Sequence, residues 1–217
     1  MADEARGSSR WMALLGLVLV MGPVLAGMNT FGERHFGLTA LQSRDAFWWP
    51  MLAWTLIVVV AIERRGLGSI GLKRPTWWTL AFGVLGAVAV FATEPLVGLI
   101  EAHFHLVSQG ATAGASIISA TPFWYRLVLT MRAALVEEVV FRGYAIERIG
   151  DLTGSRALGA VLSVVAFAYG HLAFWGWAPL IGVSFAGAVL AGLYLWRRDL
   201  AANMIAHFIV DAVGLLG

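Results

Sequence analysis

Glu137-Glu138-Val139-Val140-Phe141-Arg142 is the stretch on which the reading of this chain turns. Two adjacent carboxylates and an arginine stand where the sequence is otherwise apolar enough to lie in a membrane. Charge at that depth is costly, so intramembrane ionisable groups face a bundle interior or a wet cavity and mark a functional site by default. Moving outward, strongly apolar segments occur near residues 11–28, 46–62, 77–100, 123–141, 156–174, 177–196 and 200–216. Each approaches the roughly 20 residues that a spanning helix needs. The 217 residues are 59% hydrophobic and 13% charged, against roughly 25% charged in an ordinary soluble domain.

The expected fold is all-α: a polytopic membrane protein of about seven transmembrane helices in one bundle, with an intramembrane cavity around the charged groups. Spanning backbone has to satisfy its own hydrogen bonds, and no stretch alternates like a barrel strand. One integral-membrane domain over residues 1–217 accounts for the length, with 1–10 as a cytosolic N-terminal tail and 102–121 as the other mobile stretch. There is no internal repeat, and the absence of cysteine excludes disulfides and thiol catalysis.

Orientation follows from the basic residues. With seven spans and an inner N-terminus, Arg6, Arg10, Arg64, Arg65, Lys73, Arg74, Arg142, Arg148, Arg156, Arg197 and Arg198 fall inside, while Arg34 and Arg44 fall in an outer loop and Arg126 and Arg132 within the fourth span. The excess points to the cytoplasm, giving an N-in, C-out topology. The pI near 9.4 then reflects this bias; there is no basic groove with interleaved stacking residues, so nucleic acid is not an expected partner. The first span also reads as a signal peptide, since Arg6 and Arg10 precede an apolar core ending in Ala26 and Gly27. Trp48, Trp49, Trp77, Trp78, Trp124, Trp175, Trp177 and Trp196 lie mostly near span ends and read as interface anchors.

Helical spacing sharpens the constellation. Residues four apart share a face, so Glu138 lies over Arg142, Phe167 over His171, and His207 over both Asn203 and Asp211. Glu137 is turned roughly 100° from Glu138. The simplest division gives Glu138 the ion pair with Arg142 and leaves Glu137 free to face a cavity. If the chain reverses between Gly150 and Ser155, Glu137 and His171 stand about 15 and 18 residues from the turn and sit at similar depth. His207, a few turns past Arg197-Arg198-Asp199, also falls inside the bilayer.

These motifs, Glu137-Glu138-x-x-x-Arg142, Phe167-x-x-x-His171 and His207-x-x-x-Asp211, resemble the successive motifs of the CAAX protease and bacteriocin-processing family, also called Abi or CPBP intramembrane proteases. The resemblance covers roughly residues 120–217, the expected catalytic core, and extends to the small-residue run from Gly187 to Tyr194. It implies an integral-membrane endopeptidase whose active site opens toward the cytosol. Glu137 is similar to the family's catalytic glutamate, His171 to the histidine that joins it in activating water, and His207 to the histidine near the scissile carbonyl. Asp211 stands where the family usually has asparagine. The resemblance further implies a bacterial or archaeal cell membrane and a membrane-anchored or lipid-modified peptide as substrate, such as a CAAX-type prenylated tail, a bacteriocin leader or the tail of a sorted surface protein. Oligomeric state is left open.

The residue types suit that chemistry. A glutamate in a wet pocket can act as general base and return its proton to the leaving amine. A histidine donor aimed at the developing oxyanion supplies a large share of transition-state stabilisation. An ionised Asp211 only accepts hydrogen bonds, so it orients His207 or keeps it protonated, and Asn203, one turn earlier, is the other source of an amide donor. Zinc is the competing reading: Glu137, His171 and His207 match the three protein ligands of a catalytic site, with Asp211 as ligand or outer support. The residues lean toward the metal-free form.

Other intramembrane protease classes lack their signatures. There is no His-Glu-x-x-His, Gly182-Val183-Ser184 is followed by Phe185 where a rhomboid-type motif has glycine, and no Gly-x-Gly-Asp occurs. Phe167 reads as packing beneath His171, and His103 and His105 as ordinary loop residues. Glu94 before Pro95 reads as a structural carboxylate at a kink. Arg132, five and six residues from the glutamates, reads as facing away from both, toward headgroups or another helix. Two rivals stay in view: a non-catalytic scaffold or immunity factor of the same fold, and a proton-coupled transporter, although neither inverted repeats nor interrupted helix pairs are present.

Overall fold

The computed structural model describes residues 2–106, 109–177 and 179–216, and every regular element among them is helical. Helix α1 (Ala2–Leu25) leads through a turn at Met28–Thr30 into α2 (Phe31–Phe36) and then α3 (Ala40–Ile57), which ends in one wide turn, Val58–Ile62. After a loop come α4 (Trp77–Phe91), α5 (Glu94–His103) and α6 (Gln109–Ser119). The central helix follows: α7 (Phe123–Arg132), a long π-helical segment (Ala133–Ile146) and α8 (Glu147–Thr153). Helices α9 (Arg156–Trp175), α10 (Leu180–Arg197) and α11 (Leu200–Leu216) complete the bundle.

Local sequence explains the boundaries. Thr39 and Gln42 form a reciprocal capping box at the start of α3. Gly154, with φ +80°, ends α8 in the left-handed conformation that glycine tolerates, and the Ser155 side chain accepts from Leu158 N–H to start α9. The break at Ala92–Thr93 falls just before Glu94 and Pro95, where Pro lacks an amide donor and suits the first turn of α5.

The segment 133–146 is buried on every side except at Leu135, as expected of a helix at the centre of a bundle. Phe141, Tyr144, Val140 and Ile146 join Val20, Trp48, Val58, Val59, Phe167 and Tyr194 in the main core. Small residues permit the close approach of α9: a Cβ on Gly159 would stand 2.6 Å from the Ile146 carbonyl oxygen.

Several expectations change. By length and apolarity, four helices among the described residues qualify as spans, residues 40–62, 77–103, 156–175 and 180–197, and a fifth if Arg10–Leu25 and Met28–Phe36 form one span bent by 42°. The count of seven is therefore not reached on these criteria. The central helix is too charged, and Leu200–Leu216 is a shorter apolar helix. The 1–10 tail is the beginning of α1. Of the stretch expected to be mobile, 109–119 form α6, and residues 107 and 108 lie outside the described residues. Trp48 is a core residue and Trp175 lines a cavity, so neither is an interface anchor, whereas Trp77, Trp124, Trp177 and Trp196 are well exposed.

Candidate active site

A cavity of about 640 Å³ opens between α3, the central helix, α9, α10 and α11, and Glu137, His171, His207 and Asp211 all line it. Glu137 comes from the π-helical segment, His171 from α9, and His207 and Asp211 from α11. The reversal at Gly154–Ser155 brings α9 back beside the segment that carries Glu137, as the depth argument requires.

The wide helix decides how the two carboxylates are used. With i→i+5 hydrogen bonding each turn holds more residues than in an α-helix, so neighbouring side chains diverge by less than 100°. Glu137 and Glu138 both point into the bundle, 8% and 0% exposed. Glu138 is fully engaged: Oε1 lies 3.0 Å from Arg142 Nη1 and accepts from His207 Nδ1 at 2.8 Å, and Oε2 accepts from Asn203 Nδ2 at 3.2 Å. Arg142 in turn lies 4.1 Å from the Phe167 ring centroid and donates to the Gly187 carbonyl at 3.4 Å. Phe167 stands between His171 and His207, its centroid 4.5 and 6.1 Å from theirs.

Glu137 is the opposite case. Its Oε2 is buried without a hydrogen-bond partner and lies 3.8 Å from His171 Nε2. His171 Nδ1 is 2.8 Å from the Phe167 carbonyl, an acceptor only, so Nδ1 carries the proton. In the neutral ring Nε2 is then an acceptor facing another acceptor. The gap is too long for a direct hydrogen bond and suits a water that donates to both.

His207 faces a carboxylate at each nitrogen, since Asp211 Oδ2 lies 3.5 Å from Nε2. The orienting partner is Glu138, which was expected only to pair with Arg142. Asn203 gives its amide to Glu138 and to the Leu190 carbonyl at 2.7 Å, which takes it away from the cavity as an oxyanion donor.

Comparison with known proteins bears on this geometry. Residues 119–213 match the family model described as type II CAAX prenyl endopeptidase Rce1-like. The chain is also 32% identical over 110 residues to the uncharacterized protein YpbD of Bacillus subtilis, covering 50% of this chain and 53% of that one. Both likenesses support the CAAX protease and bacteriocin-processing family over the matched part of the chain. It spans about half the length of the curated relative it matches, and no solved structure matches it. The matched region contains the central helix and α9 to α11, hence every polar residue around Glu137 except those from α3 and Glu94.

Among the described residues no group of three or more His, Asp or Glu side chains is placed to share one metal. The Nδ1 atoms of the two histidines are held by the Phe167 carbonyl and by Glu138, which orients each ring and leaves its Nε2 as the atom for chemistry, that of His207 lying 3.5 Å from Asp211 Oδ2.

The sequence reading missed two residues. Arg44, assigned to an outer loop, lies within α3, is 8% exposed and lines the cavity. Arg132 does not face away: it is buried, lines the same cavity and donates to Asp45 Oδ1 at 2.9 Å. The i→i+5 pattern is the reason, because it places residues 132 and 137 one turn apart. His103 and His105 are exposed and take no part.

The cavity and the basic loops occupy opposite ends of the bundle. Arg148 and Glu63, Arg65 and Asp151, Lys73 and the Arg197 carbonyl, and Arg198 and Glu147 tie the loops together at one end. Arg132 with Asp45, Arg126 with the Leu215 carbonyl, and Arg44 over Phe174 mark the other, and the cavity runs from mid-bundle toward this second end. An N-terminus in the cytosol and an active site opening to the cytosol therefore do not hold together in this molecule.

Proposed function

We propose that this chain is an intramembrane endopeptidase that hydrolyses a peptide bond in a membrane-anchored or lipid-modified peptide. The observation that carries the reading is the unpartnered Glu137 carboxylate, 3.8 Å from His171 Nε2 and lining one cavity with His207. A water held between Glu137 and His171 gives a proton to Glu137 as its oxygen attacks the carbonyl carbon, and Glu137 passes that proton to the departing amine. His207, with an acceptor at each ring nitrogen, suits the doubly protonated form, and its Nε2–H is the donor for the developing oxyanion. No step is routed through a metal. Cleavage of a lipid-tethered peptide by the reconstituted protein tests the reading. Glu137→Gln is expected to reduce the rate by about 10³-fold; equal rates for variant and wild type would leave a non-catalytic scaffold of this fold.

We place the N-terminus and the basic loops in the cytosol on the positive-inside argument, so the cavity faces the outer side and the peptide enters from there. The chain contains no cysteine, which makes single replacements clean reporters. An impermeant maleimide applied to intact cells is expected to label Phe36→Cys and not Lys73→Cys; the reverse pattern would turn the molecule over.

A further inference from the structure

The cavity holds more cationic groups than the peptidase chemistry uses. Arg44 projects from the first turns of α3 into a mainly apolar lining, 8% exposed, with Nε unpartnered and no hydrogen bond or ion pair to any described residue. Its guanidinium carbon lies 4.4 Å from the Phe174 ring centroid, a contact that fixes the plane of the fork and leaves its N–H edge free. Arg132 stands beside it across the cavity wall, its Nη1 on Asp45 and its Nε without a partner. Asp45 is already served by Arg132 and by the Tyr125 hydroxyl. The other carboxylates on the cavity are Glu137 and Asp211 in the site and the exposed Glu94 at its rim. None lies within ion-pair distance of Arg44 among the described residues.

An unpaired guanidinium buried at bilayer depth is costly, and such groups are retained where they meet an anion. A planar fork with several free N–H groups matches a carboxylate in bidentate fashion.

We infer that Arg44, assisted by Arg132, binds a carboxylate of the substrate and so fixes which peptide bond reaches Glu137. The inference rests on the peptidase reading and names its specificity: a peptide whose carboxylate lies a short distance from the scissile bond, either its free C-terminus or an acidic side chain.

Binding to full-length Glu137→Gln protein in nanodiscs tests this without depending on turnover. Three fluorescent, lipid-tethered peptides serve as probes: one ending in a free carboxylate, its C-terminal amide, and the amide with one internal glutamate. The free acid is expected to bind at least about tenfold more tightly than the amide. Arg44→Met, added to the same background, is expected to bring that ratio close to one, while Arg44→Lys keeps part of it. The ratio is insensitive to a fraction of misfolded protein, because both probes see the same fraction. Tight binding of the internal-glutamate amide would support the carboxylate site and assign the anion to a side chain. Equal binding of all three probes, or a preference that survives Arg44→Met, would overturn the inference. Discrimination between acid and amide by the Glu137→Gln protein, with no cleavage of either peptide by the wild-type protein, would leave the carboxylate site standing and remove the peptidase reading.

Discussion

The central helix carries buried charge at two levels, and the two differ in how completely the charge is satisfied. At the basic end Glu63 accepts from Tyr144 and Arg148, and Glu147 accepts from Tyr194, Arg156 and Arg198. At the cavity end Glu137 Oε2, Arg44 Nε, Arg126 Nε and Arg132 Nε have no hydrogen-bond partner among the described residues, whereas at the basic end the carboxylates are satisfied although Arg197 Nε is not. A buried polar group without a partner costs on the order of 1–3 kcal/mol, more when charged. The paired cluster therefore reads as a clamp that sets the helices in register, and the unpaired one as a site awaiting ligand. Glu138 and Arg142, between them, belong with the clamp although they adjoin the site, because Glu138 holds both Arg142 and His207.

Replacing one residue at each level separates these roles. The largest effect is expected on activity from Glu137→Gln, about three orders of magnitude, with thermal stability in detergent nearly unchanged because no pairing is lost. A marked loss of stability would move Glu137 into the clamp. Next in size, Arg148→Met is expected to cost about 3–5 kcal/mol of stability, since it strands the Glu63 carboxylate in a buried site; a thermal-unfolding shift near zero would show that Glu63 finds water instead. The smallest effect is expected from chelation. Incubation with a strong chelator followed by gel filtration should leave peptide cleavage unaltered, and activity lost to the chelator and restored by zinc would overturn the metal-free mechanism.

That Glu137, His171 and His207 come together on one cavity was legible in the chain, because ionisable residues amid apolar sequence stand out at any spacing. The Glu138–Arg142 pair was legible for the same reason and survives the wide helix, since residues four apart remain close to one turn. Arg132 was misread because the spacing argument assumed 3.6 residues per turn, and nothing in Ala133–Ile146 announces i→i+5 bonding. Arg44 was misread because its helix begins six residues before the apolar segment does. Of the seven expected spans, four or five among the described residues meet the criteria of length and apolarity, since the central helix is interrupted by charge and α11 is short.

By itself the sequence determined that this protein is a helical membrane protein and which side chains can do acid–base chemistry, since both depend on composition and residue type. Only the tertiary structure decided which of two adjacent glutamates is paired and which is free. It also decided that two arginines share the cavity and that the cavity lies away from the basic loops. Those outcomes depend on helix width and on contacts between residues far apart in the chain, which local spacing does not encode.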